Sequence, residues 1–285
     1  MTNSKNNKDK KILFMDLDGT FLRNVNLDSF SQTDLNSLKK FQEEGNYLVI
    51  NTGRSYIQAK EVRDVANLNV KESYLSSANG ATIYKGDDII QTNHLNKDEV
   101  EAITNYVSKK YKHVGFKLPE TNCYYSNSKR IRNLVEWFTH LERKTIRRMN
   151  IKDEGYSKYG VILLTSKRKN YKIWEDLKDK FPQFNIFLTG HDFYLEIVKK
   201  GVSKGDAVKS ISKILDVKIE NTYAAGDSGN DHSMLKVAGN AIMMKNIPQY
   251  IIEDVKKDKS NKNYIVTKSV SKDGLTDAMK YFDLI

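Results

Sequence analysis

Carboxylate side chains are concentrated in two short segments that lie far apart in the sequence. Asp16 and Asp18 stand two residues apart in DLDGT, and Asp227 and Asp231 stand in GDSGND. Each segment follows a short apolar run, which is typical of a buried strand that ends at a loop. Carboxylates brought together repel one another unless a cation is present, and hard oxygen ligands of this kind suit Mg²⁺, which commonly also binds a phosphate. The two segments therefore predict a magnesium site.

Alternating strands and helices are predicted around these segments. Apolar runs at Lys11–Leu17, Tyr47–Asn51 and Ser73–Ser77 predict buried strands, and Leu35, Leu38 and Phe41 are spaced as in a helix. This alternation predicts a parallel sheet, in which ligands bind beyond the carboxyl ends of the strands. DLDGT, Thr52-Gly53-Arg54 and Asn79-Gly80 follow the three strands and should meet at that edge.

The pattern changes after about residue 85 and resumes near residue 191. Between these points the sequence predicts helices at Asn96–Lys112, Lys129–Lys144 and Lys167–Lys180, interspersed with strands. We therefore predict a core domain of residues 11–85 and 191–285, with a separate α+β domain of residues 86–190 inserted into it. Residues 1–10 are polar and are predicted to form a flexible tail. The chain is predicted to pass between the two domains at Lys85–Asp88 and Thr189–Asp192. Each of these segments contains a glycine and is predicted to act as a hinge.

Five sequence motifs occur in a fixed order, namely DLDGT, NTGR, SANGA, SKGDAV and GDSGND. Together they resemble the haloacid dehalogenase (HAD) superfamily, and in particular its Cof-type (class IIB) sugar and metabolite phosphatases. The resemblance runs from about Lys11 to the C terminus. It implies an α/β fold, with a Rossmann-like parallel-sheet core and an inserted α+β cap domain of the C2 type.

The resemblance also implies a role for individual residues. Asp16 would be the nucleophile that forms an aspartyl-phosphate, and Asp18 would act first as general acid and then as general base. Lys204 would offset negative charge on the nucleophile and the phosphate. Candidate substrate-binding residues are Thr52, Gly53, Arg54, Asn79, Lys204 and Asn230.

The metal implied by the resemblance is Mg²⁺, and four residues are candidates for its site. Asp16, the backbone carbonyl of Asp18, and Asp227 would bind the ion directly. Asp231 would orient the metal's waters or Lys204. A structural alternative exists for Asp231, which could cap the helix that follows it.

Three other candidate residues also have a structural alternative. Thr52, like Asp231, could cap the helix that follows it. Arg54 and Asn79 could be solvated surface residues.

The predicted function is a magnesium-dependent phosphatase that hydrolyses small phosphorylated metabolites, such as sugar phosphates or cofactor phosphates. Asp18 favours hydrolysis, because the related transport ATPases carry threonine at that position and the dehalogenases lack the acid. A phosphomutase is the alternative within the superfamily. A non-catalytic Rossmann-like protein would normally carry GxGxxG after the first strand, where this chain carries DLDGT.

Composition restricts the remaining classes of protein. The chain has 285 residues and a net charge of +11, but its basic residues are interleaved with acids, so nucleic-acid binding is not predicted. The segment 86–190 has 20 Lys and Arg against 13 Asp and Glu, a net +7. This charge would attract anionic small molecules, and the alternative is a Lys- and Asn-rich composition without functional meaning. The lack of a long apolar run, the polar N terminus and the single cysteine predict a cytoplasmic protein without a membrane segment or disulfide. Nothing in the sequence indicates an oligomeric state.

Overall fold

The computed structural model divides into two compact units, Met1–Gln91 with Ser203–Ile285 and Thr92–Val202. The residues that the structure describes are 10–24, 26–68, 73–118, 123–129, 132–133, 142–144, 149–153, 155–189, 192–257 and 263–285. No helix within these residues is long and apolar enough to span a membrane. The predicted tail lies almost entirely outside the described residues.

The first unit is built on an eight-stranded sheet with the order β14-β13-β12-β1-β2-β3-β4-β5. Its strands are β1 (Ile12–Met15), β2 (Tyr47–Asn51), β3 (Tyr74–Ser77), β4 (Thr82–Lys85), β5 (Asp88–Thr92), β12 (Thr222–Gly226), β13 (Asn240–Met243) and β14 (Asn263–Val266). The six strands from β14 to β3 are parallel, and β4 runs antiparallel to β3. The predicted α/β core is confirmed.

Helices cover both faces of this sheet, as the sequence of β1 requires. All four residues of β1 are fully buried, with Leu13 and Met15 in one core cluster and Ile12 and Phe14 in another. The helices are α1 (Gln32–Glu43), α2 (Tyr56–Val65), α5 (Lys204–Ile214), α6 (His232–Val237), α7 (Gln249–Lys257) and α8 (Gly274–Tyr281). The first cluster contains side chains of α1, α2 and α8, and the second contains side chains of α5, α6 and α7. A strand buried on both faces reads as a continuous apolar run, which explains the sequence ILFM.

The second unit contains a six-stranded sheet with the order β10-β11-β9-β6-β7-β8. Its elements are α3 (Lys97–Lys110), β6 (Val114–Lys117), β7 (Cys123–Tyr125), β8 (Glu142–Lys144), β9 (Tyr159–Leu163), α4 (Lys167–Lys180), β10 (Phe184–Thr189) and β11 (Tyr194–Lys199). Its strand pairs are antiparallel except β7 with β8. This is the inserted α+β cap that the resemblance implied.

Two predicted assignments at the edges of the insertion are wrong. The sequence pattern predicts that β11 belongs to the core, but β11 pairs with β10 and β9. The insertion therefore extends to Val202. Gly86 was predicted to be a hinge, but it lies in the short turn between β4 and β5 with a φ of 59°. The predicted limits of 86–190 therefore shift to Thr92–Val202. Gly190, the other predicted hinge residue, is outside the described residues.

One predicted helix of the insertion is also corrected. Lys129–Lys144 was expected to be helical throughout, but Glu142–Lys144 forms strand β8 beside β7. Pairing with another strand overrides a local helical pattern at this point. By contrast, the structure confirms the helix predicted at Lys167–Lys180 and the strand predicted at Tyr47–Asn51.

Candidate active site

A buried lysine joins two aspartates that come from different motifs. Lys204 Nζ donates hydrogen bonds to Asp16 Oδ1 at 2.6 Å and to Asp231 Oδ1 at 2.5 Å. Lys204 and Asp231 are fully buried, and Asp16 is 4% exposed. A buried ammonium shared between two carboxylates is held by strong charge-assisted hydrogen bonds. DLDGT, SKGDAV and GDSGND therefore meet at one point.

The sheet and one helix terminus fix this arrangement. Asp16 follows β1, and its backbone N–H donates to Ala225 O in β12 at 3.0 Å. Lys204 is the first residue of α5, whose N-cap is Ser203. Asn51, at the end of β2, donates from Nδ2 to Lys204 O at 3.0 Å. Three adjacent parts of the fold thus determine where the lysine and Asp16 lie.

Burial and neighbouring charges shift the pKa values of Asp16, Lys204 and Asp227. Desolvation raises the pKa of Asp16 most strongly, Lys204 lowers it and the charge of Asp231 raises it, with a net pKa of about 7. The pKa of Lys204 is raised, because the two carboxylates outweigh the effect of burial. Desolvation, followed by the charge of Asp231, raises the pKa of Asp227 to about 6. The negative charge gathered here is costly unless cations share the site.

Asp227 and Asp231 have different surroundings although both lie in GDSGND. Asp231 Oδ2 accepts hydrogen bonds from the backbone N–H groups of Asp227 and Ser228, each at 2.9 Å. With its other oxygen bound to Lys204, Asp231 holds the loop and the lysine together. Asp227 instead accepts from side chains, with Thr20 Oγ1 at 3.4 Å and Asn246 Nδ2 at 2.6 Å.

Gly19 allows the Asp227 side chain to lie close to DLDGT. Gly19 has a φ of 80°, and a Cβ at this position would overlap the Asp227 carboxylate. Only glycine combines this backbone conformation with the space that the carboxylate needs.

The three buried or partly buried aspartates form a candidate metal site. Asp16, Asp227 and Asp231 can each offer an oxygen such that all three oxygens lie within 4.8 Å of one another. The two oxygens of Asp231 are engaged by Lys204 and by the loop backbone. We therefore treat Asp16 and Asp227 as the candidate direct ligands, and Asp231 as a candidate support for them.

Asp18 points away from this cluster and toward Arg54. Arg54 Nε donates to Asp18 Oδ2 at 2.8 Å, and Arg54 Nη2 donates to Asp18 Oδ1 at 2.5 Å. The Asp18 side chain is 52% exposed, whereas that of Arg54 is 14% exposed. Both side-chain oxygens of Asp18 thus accept hydrogen bonds from the Arg54 guanidinium. Asp18 is not part of the aspartate cluster found among the described residues.

The remaining predicted residues form a third group. Thr52 is 1% exposed, and its Oγ1 accepts from the backbone N–H of Arg54 at 3.2 Å. Asn230 Nδ2 donates to Asn79 Oδ1 at 3.2 Å, and Asn79 adopts a left-handed backbone conformation with a φ of 58°. A Cβ on Gly53 would lie 3.2 Å from Asn79 Oδ1, so Gly53 faces the two amides closely.

Sequence reasoning did not identify three residues that contact this site. The side chains of Thr20 and Asn246 donate hydrogen bonds to the Asp227 carboxylate. The side chain of Asn51 donates to the backbone carbonyl of Lys204. Each comes shortly after, or at the end of, a buried strand whose carboxyl end reaches the site. Their position after β1, β2 and β13 is the sequence signal that could have identified them.

The family model for haloacid dehalogenase-like hydrolases matches residues 13–279. A Buchnera aphidicola protein whose name places it among phosphatases is 29% identical over 248 residues, covering 83% of this chain and 85% of its own. A Bacillus subtilis 5-amino-6-(5-phospho-D-ribitylamino)uracil phosphatase is 24% identical over the full length of both chains.

Two solved structures share the fold. A haloacid dehalogenase-like hydrolase from Bacteroides thetaiotaomicron has a TM-score of 0.72 at 20% identity, covering 96% of this chain and 99% of its own. A HAD subclass IIB sugar phosphatase has a TM-score of 0.69 at 21% identity, with 97% and 100% covered. The family match spans both parts of the core and the insertion. The chain therefore belongs to the haloacid dehalogenase-like hydrolases and is a HAD-type phosphatase, a phosphoric monoester hydrolase.

Proposed function

We propose that this phosphatase transfers the phosphoryl group of a small metabolite to Asp16 and then to water, with Mg²⁺ as cofactor. The observation that carries the proposal is the buried contact of 2.6 Å between Lys204 Nζ and Asp16 Oδ1. It places a cation against the one buried carboxylate that directly follows β1. A carboxylate held in this way is suited to covalent phosphoryl transfer.

The residues present fit a magnesium ion. Asp16 and Asp227 carry the hard oxygen atoms that Mg²⁺ prefers, and their oxygens lie within 4.8 Å of each other. The backbone carbonyl of Asp18 would join them. When bound, Mg²⁺ would withdraw negative charge from the phosphoryl group and from the carboxylates around it.

Asp16 would attack phosphorus with a carboxylate oxygen as the bond from phosphorus to the leaving oxygen breaks. Lys204 would stabilise the negative charge on Asp16 and on the transferring group. Asp231 would keep the Lys204 ammonium in place, since it shares that ammonium at 2.5 Å. An electrostatic contact arranged before reaction contributes strongly to lowering the barrier.

Asp18 would move protons in both halves of the reaction. It would give a proton to the leaving oxygen in the first half and accept one from the attacking water in the second. Its bidentate ion pair with Arg54 supports a role for Arg54 in holding Asp18 rather than in binding substrate directly. This revises the sequence-based expectation that Arg54 contacts the substrate.

The buried hydroxyl of Thr52 and the amide of Asn230 would hydrogen-bond the phosphoryl oxygens. Gly53 would let the backbone approach them, because it carries no side chain toward Asn79 and Asn230. Asn79 would fix the amide of Asn230 through their 3.2 Å hydrogen bond.

The substrate we propose is a phosphorylated sugar, sugar alcohol or cofactor precursor. Two similar proteins support this class: one is a sugar phosphatase and the other a phosphatase of a ribitylaminouracil phosphate. A panel of such monoesters, tested for phosphate release in Mg²⁺, should contain good substrates. Conversion of a sugar phosphate to its isomer without phosphate release would indicate a mutase instead.

The covalent step is tested with Asp18→Asn and p-nitrophenyl phosphate. This substrate has an activated leaving group, so Asp16 should still be phosphorylated, while hydrolysis of the intermediate should stall. Intact-protein mass spectrometry after acid quench should show one added phosphoryl group. The same adduct on Asp16→Asn, or normal turnover by Asp18→Asn, would show that the proposed roles are wrong.

A further inference from the structure

We infer that Asn246 is a positioning residue for the metal ligand Asp227, an inference that rests on the proposed magnesium site. Asn246 Nδ2 donates to Asp227 Oδ2 at 2.6 Å. This is the shorter of the two side-chain hydrogen bonds found for Asp227 within the described residues, the other being that from Thr20 at 3.4 Å.

The sheet brings Asn246 to this position. Strand β13 pairs in parallel with β12, and Gly226 lies opposite Met243. The next residue, Met244, donates its N–H to Gly226 O at 2.9 Å, so the chain that leaves β13 runs beside the GDSGND turn. Ile247 is 5% exposed and its N–H donates to Met244 O at 3.0 Å, which anchors the turn that carries Asn246.

The other side of Asp227 is limited by Gly19. A Cβ there would overlap the Asp227 carboxylate, so the side chain lies against the DLDGT backbone. Contact with Gly19 and the hydrogen bond from Asn246 together restrict the side-chain torsions of Asp227. The bond occupies Oδ2 and leaves Oδ1, whose contact with Thr20 is long, as the oxygen more available to a cation.

A side chain that orients a metal ligand typically contributes 10–100-fold to metal affinity or activity. Asn246 would act through its amide N–H, which donates to Asp227 Oδ2. It is also exposed, so its removal leaves no buried cavity. Its loss should therefore weaken Mg²⁺ binding while leaving the Tm of the metal-free protein nearly unchanged.

The test measures Mg²⁺ binding to the full chain by calorimetry, without substrate. Asn246→Ala and Asn246→Leu both remove the donor, and each should raise the Kd for Mg²⁺ by about 10–100-fold. Mg²⁺ should correspondingly raise the Tm of these variants less than that of the parent chain. Gln249→Ala is the control, because Gln249 is a nearby exposed amide that bonds Glu253 at 3.3 Å and does not touch Asp227.

The outcomes separate this inference from the proposed function. If the parent chain binds Mg²⁺ and Asp227→Asn does not, the proposed metal site holds. Unchanged Mg²⁺ affinity in folded Asn246→Ala and Asn246→Leu would then overturn the role of Asn246 alone. If the parent chain does not bind Mg²⁺, the proposed site itself fails. An equal loss of affinity in Gln249→Ala would also overturn the inference, since the effect would not depend on the bond to Asp227.

Discussion

Arg54 and Asp18 form a two-point ion pair in which Nε and Nη2 of the guanidinium each bind one carboxylate oxygen, at 2.8 and 2.5 Å. Asp18 is the residue to which we assign proton transfer, and it lies outside the buried cluster of Asp16, Lys204 and Asp231. The nucleophile and the proton-transfer residue are therefore held by two different cations.

The first prediction concerns Arg54. Arg54→Lys retains the charge but cannot make the two-point contact, so Asp18 should lose its fixed orientation. For an alkyl phosphate, kcat should fall by about 10–100-fold, the scale associated with a misplaced catalytic group. For p-nitrophenyl phosphate the fall should be smaller, since its leaving group needs little protonation. An equal fall for both substrates would contradict a role through Asp18.

The second prediction concerns Lys204. Lys204→Met should lower kcat by about 10²–10³, because it removes an electrostatic contact arranged before reaction. It should also lower the free energy of unfolding by about 3–5 kcal/mol, since Asp16 and Asp231 lose their shared cation within the buried site. Kinetics and urea unfolding measure the two effects.

Lys209→Met is the matched control for Lys204. Lys209 lies on the same helix, its side chain is 64% exposed, and its Nζ is 4.0 Å from Asp206. This variant should keep both activity and stability. A similar loss in the two lysine variants would indicate a general effect on the helix rather than an effect on Asp16.

The third prediction compares two glycines with nearly the same backbone conformation. Gly19 and Gly45 have φ values of 80° and 84°, but only Gly19 faces the Asp227 carboxylate, and a Cβ on Gly45 would meet nothing within 4 Å. Both Ala variants should lose about 1–2 kcal/mol of stability from the left-handed conformation. Only Gly19→Ala should also lose Mg²⁺ binding and phosphate release. If Gly45→Ala also lost Mg²⁺ binding and phosphate release, the losses in Gly19→Ala would be explained by impaired folding rather than by contact with Asp227.

The fourth prediction concerns Asp34, a fully buried residue that is not among the candidate site residues. Its Oδ1 accepts from the Thr276 N–H at 2.9 Å and from Thr276 Oγ1 at 2.7 Å. Burial raises the pKa of Asp34 above its usual value. The folded state therefore binds this proton more tightly than the unfolded chain does. The contribution of Asp34 to stability is greatest below the unfolded pKa of about 3.9 and is lost as pH rises through the folded pKa.

Asp34→Asn removes this titration while keeping an acceptor for Thr276. The parent chain loses this contribution as pH rises from about 4 to 7, so the free energy of unfolding of the variant should increase relative to that of the parent chain. Urea unfolding of both proteins across this range measures the difference. A difference that stays constant with pH would show that Asp34 has no raised pKa.

The positions of the motifs along the fold could be predicted from the sequence, because buried strands and the turns after them have local signatures. Tyr47–Asn51 was predicted to the residue, and Asp16 and Asp227 directly follow β1 and β12, which are neighbouring strands. The edges of the insertion were harder to predict. Strand β11 has the same apolar pattern as a core strand, and only its pairing with β10 and β9 assigns it to the second unit.

Side-chain pairing across the site could not be predicted in the same way. Nothing near Arg54 in the sequence indicates that its guanidinium binds Asp18, which is 36 residues away. Asn246 lies shortly after β13, and its bond to Asp227 depends on the parallel register between β13 and β12. Such contacts depend on distances and angles across the folded sheet, which no local sequence pattern records.

The parallel pairing of β1 with β12 has a consequence for the synthesis of the protein. Ile12 lies opposite Thr222, so the strand that carries the nucleophile acquires this neighbour only after most of the chain has left the ribosome. The intervening Thr92–Val202 unit forms its sheet from strands within itself, and it can close local contacts first. Joining strands so distant in sequence is an entropically costly and slow step. A nascent chain that ends before Gly226 therefore lacks Asp227 and Asp231, and phosphatase activity arises only near the end of translation.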